Sequence, residues 1–181
     1  RLFSSVEPAE VPTWLRVVLD LYAETPVTSE KTRRESIIYP LLVAGRETSG
    51  RNFTLYSGAT LEGDGRNGPR GQCDFLLGLA RPLPVVLPPL AAVVLGRGGD
   101  LESGLGPCLA QMVAAQQFNQ RKGHAGDSVF GCVTTGNDWQ FLHLQHARAR
   151  IHPEVFYRGD LPQLLGALRW MAGQFGRLPK K

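Results

Sequence analysis

Leu90-Ala-Ala-Val-Val-Leu95 is six apolar residues without a break, entered from Pro88-Pro89 and left through Gly96-Arg97-Gly98-Gly99. A run this short, bounded by turn residues, reads as a strand, and its lack of alternation says that both faces are buried. The core is expected to centre on it. After a glycine-rich break over 99–106, Leu105, Leu109, Met112, Val113 and Gln116 recur at helical spacing through Arg121. Ser128–Thr135 and Asp138–Leu144 then flank Gly136-Asn137, the pattern of a hairpin. In that register Phe130, Cys132, Trp139 and Phe141 share one face, so packing accounts for the aromatic residues. Leu164, Leu165, Leu168 and Met171 place a closing helix over Leu161–Phe175.

Upstream, Trp14, Val17, Val18, Leu21 and Tyr22 form one helical stripe, with Thr13 as its expected N-cap. Ser29 or Thr28 is placed to cap a second helix, in which Ile37, Ile38, Leu41 and Leu42 are apolar and Pro40 predicts a kink. Phe53–Ser57 and Gln72–Leu79 read as strands joined by the polar, glycine-rich stretch Glu62–Gly71. The order α, α, β, β, β, α, β, β, α predicts an α/β fold with a central mixed sheet flanked by helices.

The 181 residues make one domain, 1–181, the expected unit. With 43% hydrophobic and 20% charged residues, a disordered chain, a coiled coil and a collagen-like fibre are excluded. A net charge of +4 is too small to mark a nucleic-acid binder by itself. Cys73, Cys108 and Cys132 are odd in number and widely spaced, which points away from a disulfide framework and toward a reducing compartment, the cytoplasm by default. The apolar run Leu83–Gly96 is too short to span a bilayer and holds three prolines, so no membrane partner is expected. Leu2–Asp20 lacks the pattern of a secretory signal.

Asp74 interrupts the apolar strand that begins at Gln72. A buried carboxylate needs a partner, and a divalent cation, a backbone N–H and an arginine all qualify. Other constellations carry less chemistry. Cys132 and His143 share a hairpin face, but aromatic neighbours favour a filled core over a thiol nucleophile. His124, His146 and His152 lack metal-ligand spacing and read as loop or strand-edge residues. Gly96-Arg97-Gly98-Gly99 has no Lys-Ser/Thr pair and is not a phosphate loop. No motif for a small-molecule cofactor is present.

Four segments carry a resemblance: Thr28-Ser-Glu-Lys-Thr-Arg-Arg-Glu-Ser-Ile-Ile38, Gly71-Gln-Cys-Asp-Phe-Leu-Leu77, Ser103-Gly-Leu-Gly-Pro-Cys-Leu-Ala-Gln-Met-Val-Ala-Ala115 and Gly131-Cys-Val-Thr-Thr-Gly-Asn-Asp-Trp-Gln-Phe141. In order and spacing they resemble the PD-(D/E)XK, or restriction-endonuclease-like, superfamily, and within it a largely cyanobacterial group of proteins, over about 28–144. The resemblance implies a nuclease-like core in which a helical Glu, a strand Asp and the acid of an acid-x-Lys pair hold Mg²⁺ at one sheet edge. Glu35 falls on the helical Glu, Asp74 on the strand Asp, and Gln111 on a helical Gln that touches the attacking water or backbone.

The acid and Lys positions, however, are Leu95 and Arg97. Leu95 supplies no oxygen to a cation, and Arg97 stays charged, so it can stabilise an anion without taking a proton. The resemblance therefore implies a catalytically degenerate nuclease fold that keeps nucleic-acid binding through Arg33, Arg34, Arg97, Arg121 and Lys122. Two alternatives stay open. One is an active Mg²⁺-dependent nuclease with a migrated acid (Asp100, Glu102, Glu62 or Asp64, otherwise solvated loop charges). The other is a protein-interaction module without enzymatic activity. The degenerate reading expects Glu35, Asp74, Leu95 and Arg97 to meet at one edge of the sheet.

Overall fold

The computed structural model describes residues 1–61, 71–124 and 127–175. Glu62 and Asp64 lie outside the described residues. The apolar run forms β5 (Leu90–Gly96), and all seven of its residues are buried. Around it a mixed seven-stranded sheet is ordered β1 (Thr54–Ser57), β4 (Phe75–Gly78), β5, β6 (Ser128–Thr134), β7 (Asp138–Gln145) and β8 (Arg148–Ile151), with β9 (Phe156–Tyr157) also on β7. Among the described strands only β5 and β6 run parallel. Their connection is α4 (Glu102–Arg121), the crossover that a parallel pair demands.

Alternation along β5 sorts its side chains to two layers. Ala92 and Val94 join the cluster built with α3 (Tyr39–Thr48) and α5 (Leu161–Phe175), whereas Val93 and Leu95 join Cys108 and Met112 of α4. The hairpin register puts Cys132 opposite Phe141 and Thr134 opposite Trp139. Phe130, Cys132, Trp139 and Phe141 all sit in the α3/α5 layer. The turn between β6 and β7 passes through Gly136 at φ +91°, a backbone region that favours glycine.

Several expectations need correction. Helix α1 (Thr13–Ala23) follows Pro12, and Thr13 is its first residue, not a side-chain cap. Its inward face is Trp14, Leu15 and Leu19; Val17, Leu21 and Tyr22 are exposed. Leu15 at 0% exposure fixes that rotation, because the stripe read from the sequence would have turned it outward. The strand expected over Gln72–Leu79 is broken at Cys73-Asp74. Its first part, β3 (Gly71–Gln72), pairs with β2 (Thr60–Leu61) in a separate two-stranded sheet, and only β4 joins the main one. The short strands β8 and β9, four and two residues long, were not expected.

Ser29 does cap the second helix: its Oγ accepts the Thr32 N–H at 3.1 Å. From there α2 (Glu30–Arg33) runs through a π-helical turn, Arg34–Ile38, into α3. Pro40 explains that turn, since it lacks an N–H and its ring crowds the carbonyl four residues back, so the coil widens ahead of it. Arg34 and Glu35 sit on the widened turn.

Candidate functional site

The π-helical turn, the end of β1, the bend before β4 and the end of β5 meet around Asp74. Its side chain is 12% exposed, and both carboxylate oxygens are occupied. Arg34 Nη1 donates to Oδ1 at 2.7 Å, and the Gly96 N–H donates to Oδ2 at 2.8 Å. Burial pushes the Asp74 carboxyl above its ordinary pKa, against the Gly96 N–H and the Arg34 guanidinium, which pull it down.

Gly96 is what lets these groups approach. A β-carbon there would lie 2.9 Å from Ile38 Cδ1, 3.3 Å from Arg34 Cγ and 3.6 Å from Asp74 Oδ2. Gly96 thus faces Arg34 and Asp74, and by strand alternation its neighbours face the other way. Leu95 is 6% exposed in the α4 layer, and Arg97 Cγ lies 3.1 Å from where a β-carbon on Gly104 of α4 would stand. The structure therefore brings Glu35 and Asp74 together and turns Leu95 and Arg97 to the opposite face. The four-residue meeting expected from the sequence does not form.

Glu35 and Asp74 line one cleft of about 530 Å³ with Lys31, Arg34, Tyr39 and Gln72. Glu35 extends toward solvent with its side chain 65% exposed, and it pairs with Lys31 Nζ at 4.0 Å. Among the described residues no group of three or more His, Cys, Asp or Glu is arranged to hold a metal ion. With both Asp74 oxygens taken by donors and Glu35 directed outward, the described residues of this cleft do not fit Mg²⁺.

Asp100 and Glu102 serve elsewhere. Asp100 Oδ1 accepts the Ser103 N–H at 2.7 Å, which caps α4 and lowers the Asp100 pKa, and Glu102 is exposed in the first turn of that helix. Gln111 lies midway along α4, with its Oε1 buried and without a hydrogen-bond partner among the described residues, on the helix that covers the Leu95 face.

The arginines divide. Arg33 packs over Gly98 and Gly136, near Arg34. Arg121 and Lys122 end α4, which at 20 residues is about 30 Å long. Arg33 and Arg34 thus form one group, and Arg121 with Lys122 a second at the far end of α4. Sequence reading missed Lys31 as a cleft residue. Its signal was the i, i+4 spacing to Glu35 on a capped helix.

Cys132 is fully buried with its thiol pushed well above the ordinary pKa by burial, which removes it as a nucleophile. His143 instead pairs through Nε2 with Ser128 Oγ at 2.7 Å and stacks on Phe130 at 4.4 Å. His152, expected at a loop or strand edge, is 1% exposed against Phe3. Cys73, Cys108 and Cys132 are buried and form no disulfide, and among the described residues no helix is long and apolar enough to cross a membrane. No family model, curated protein or solved structure matches the chain.

Proposed function

We propose that this chain has a restriction-endonuclease-like core that has lost phosphodiester cleavage and binds nucleic acid through the cleft beside Asp74. The observation that carries this reading is the Arg34–Asp74 pair at 2.7 Å, with Gly96 N–H on the second oxygen. In a metal-dependent site that carboxylate faces a cation; here a guanidinium stands at it. Arg34 is about one-third exposed and offers five N–H donors, so groups not aimed at Asp74 remain for a phosphate oxygen. Lys31 lines the same cleft, whereas Arg33 turns away from it over Gly98 and Gly136.

Mobility shifts with duplex and single-stranded DNA at two ionic strengths test the reading. Binding is expected at low salt, falling steeply as salt rises because bound cations are released, and unchanged by EDTA. Nicking of supercoiled plasmid is expected to be negligible with Mg²⁺, Mn²⁺ or EDTA. Robust cleavage would point to a migrated acid. Absence of binding even at low salt would favour the protein-interaction alternative, for which the exposed Val17, Leu21 and Tyr22 of α1 offer a surface.

A further inference from the structure

We propose a second phosphate-binding surface, on the β7–β8 hairpin, where Arg148 and Arg150 hold successive phosphates of a single nucleic-acid strand lying along β8. It rests on the nucleic-acid reading above but on different residues. The β7–β8 register sets Gln145 opposite Arg148 and His143 opposite Arg150, so these four side chains stand on one face of the sheet. It is the face away from α4, because Leu142 and Leu144 occupy the α4 layer. No carboxylate stands opposite either arginine, and β8 is exposed throughout.

Arg150 is pre-aimed. Its Nη2 donates to Gln145 Oε1 at 3.3 Å and approaches His143 Nδ1 at 3.4 Å. With Nδ1 accepting, Nε2 carries the ring proton and donates to Ser128 Oγ at 2.7 Å, so His143 is a neutral strut. Its burial and the Arg150 charge both lower the His143 pKa, which agrees with that assignment. Arg148 has no hydrogen bond or ion pair among the described residues, although it lines a cleft of about 490 Å³ with Gln145, His146 and Arg150.

Two residues along a strand are about 6.6 Å apart, a spacing similar to that of successive phosphates on an extended strand. The half-buried His143 ring, stacked on Phe130 at 19° between planes, adds an aromatic surface beside Arg150. Cation forks interleaved with a stacking platform suit a nucleic-acid strand better than an acidic polypeptide. The surface lies at the far end of the sheet from Asp74. Gln145 pairs with Ser128 at the start of β6, whereas Thr134 at its end pairs with Gly96.

The test measures fluorescence anisotropy of a labelled oligothymidylate on the full chain, on Arg148→Ala, Arg150→Ala and both conservative Lys variants, and on Lys31→Ala and Arg34→Met for the cleft. Each hairpin Ala variant is expected to weaken binding at least threefold and lower the salt slope by about one. The Lys variants should keep the slope and lose part of the affinity. Hairpin variants that bind like the unmodified chain overturn this proposal while cleft variants still report on the first reading. The reverse pattern leaves the hairpin site and removes the cleft. Polyglutamate, or inorganic phosphate at equal phosphate concentration, displacing the oligonucleotide from the hairpin as well as unlabelled strand does would also overturn it, in favour of an acidic polypeptide or a free oxyanion.

Discussion

Arg34 and Asp74 are forty residues apart in the chain, yet Nη1 and Oδ1 meet at 2.7 Å, and this pair ties the π-helical turn to the end of the sheet. Its surroundings are asymmetric. The carboxylate is nearly enclosed, whereas the guanidinium is about one-third exposed, so water can replace Asp74 around Arg34 but not around the Gly96 N–H.

Asp74→Ala is accordingly expected to cost about 1–3 kcal/mol, most of it from the Gly96 donor left without an acceptor. Arg34→Met should cost less, since Gly96 still holds the carboxylate. Urea unfolding of both single variants and the double variant gives the coupling between them, expected within about 0.5–3 kcal/mol. Strict additivity would show that the pair contributes nothing as a unit.

Leu95→Glu with Arg97→Lys, the change that would rebuild an acid-x-Lys pair by sequence position, is expected to restore no cleavage. Leu95 faces Cys108 and Met112 in a dry layer, so a carboxylate there is buried without a partner and costs several kcal/mol. Melting with and without Mg²⁺ checks this: Tm should fall equally in both. A Mg²⁺-dependent recovery of Tm, or metal-dependent nicking, would show that position 95 reaches the cleft.

What the sequence made legible, and what it did not, follows from the same strand. Six unbroken apolar residues announced a central strand, because burial on both faces needs no other pattern. That very uniformity hid which face each residue takes. In an alternating strand Leu95 and Gly96 would have been assigned to opposite sides on sight, whereas here the assignment depends on Ile38 and Arg34, residues from a distant helix. The β6–β7 hairpin was legible from its Gly136-Asn137 turn, and α4 was legible as a helix but not in its phase: its buried line runs through Gly104, Cys108, Met112, Ala115 and Asn119, with Leu105, Leu109 and Val113 only partly buried. The phase of α1 was not legible either, since Leu15 and Val17 are equally apolar and only the packing partner chooses between them. The Asp74 partner was open between cation, backbone and arginine, and the chain supplies two of the three at once.

Gly96→Ala is expected to be poorly tolerated although alanine fits β-strand backbone angles. The added methyl would sit 2.9 Å from Ile38 Cδ1 and 3.3 Å from Arg34 Cγ, closer than carbon contacts allow. Overpacking of this kind costs about 1–3 kcal/mol. Relief requires Ile38 Cδ1 to turn away and Arg34 to shift, so the backbone nitrogen NMR shift of residue 96 and the guanidinium shift of Arg34 should move together. Unchanged stability and shifts would mean that Ile38 alone yields and the pair is not crowded.

The acid response of the N-terminal segment is set by His152. The Leu2 N–H donates to His152 Nδ1 at 3.2 Å, the ring sits edge-on to Phe3 at 4.4 Å, and only Glu154 Oε2, 3.9 Å from Nε2, offsets a positive charge there. Burial lowers the His152 pKa below its ordinary 6.5, outweighing Glu154, and Arg1 adds to the lowering. A folded-state pKa below the unfolded one means that the unfolded chain binds the proton more tightly. The neutral ring's contribution to stability is therefore complete above about pH 6.5 and is lost as the pH falls through the folded value. Protonation also places a hydrogen on Nδ1 and removes the acceptor for Leu2, so the segment ahead of Phe3 should loosen first. His152→Gln keeps an acceptor and abolishes the titration, while His143, also lowered, titrates in both proteins and cancels. The Tm of the unmodified chain relative to His152→Gln is expected to drop as pH falls below about 6.5, with faster amide exchange at Leu2 and Phe3. A difference that stays flat across that window would show that His152 does not anchor the segment.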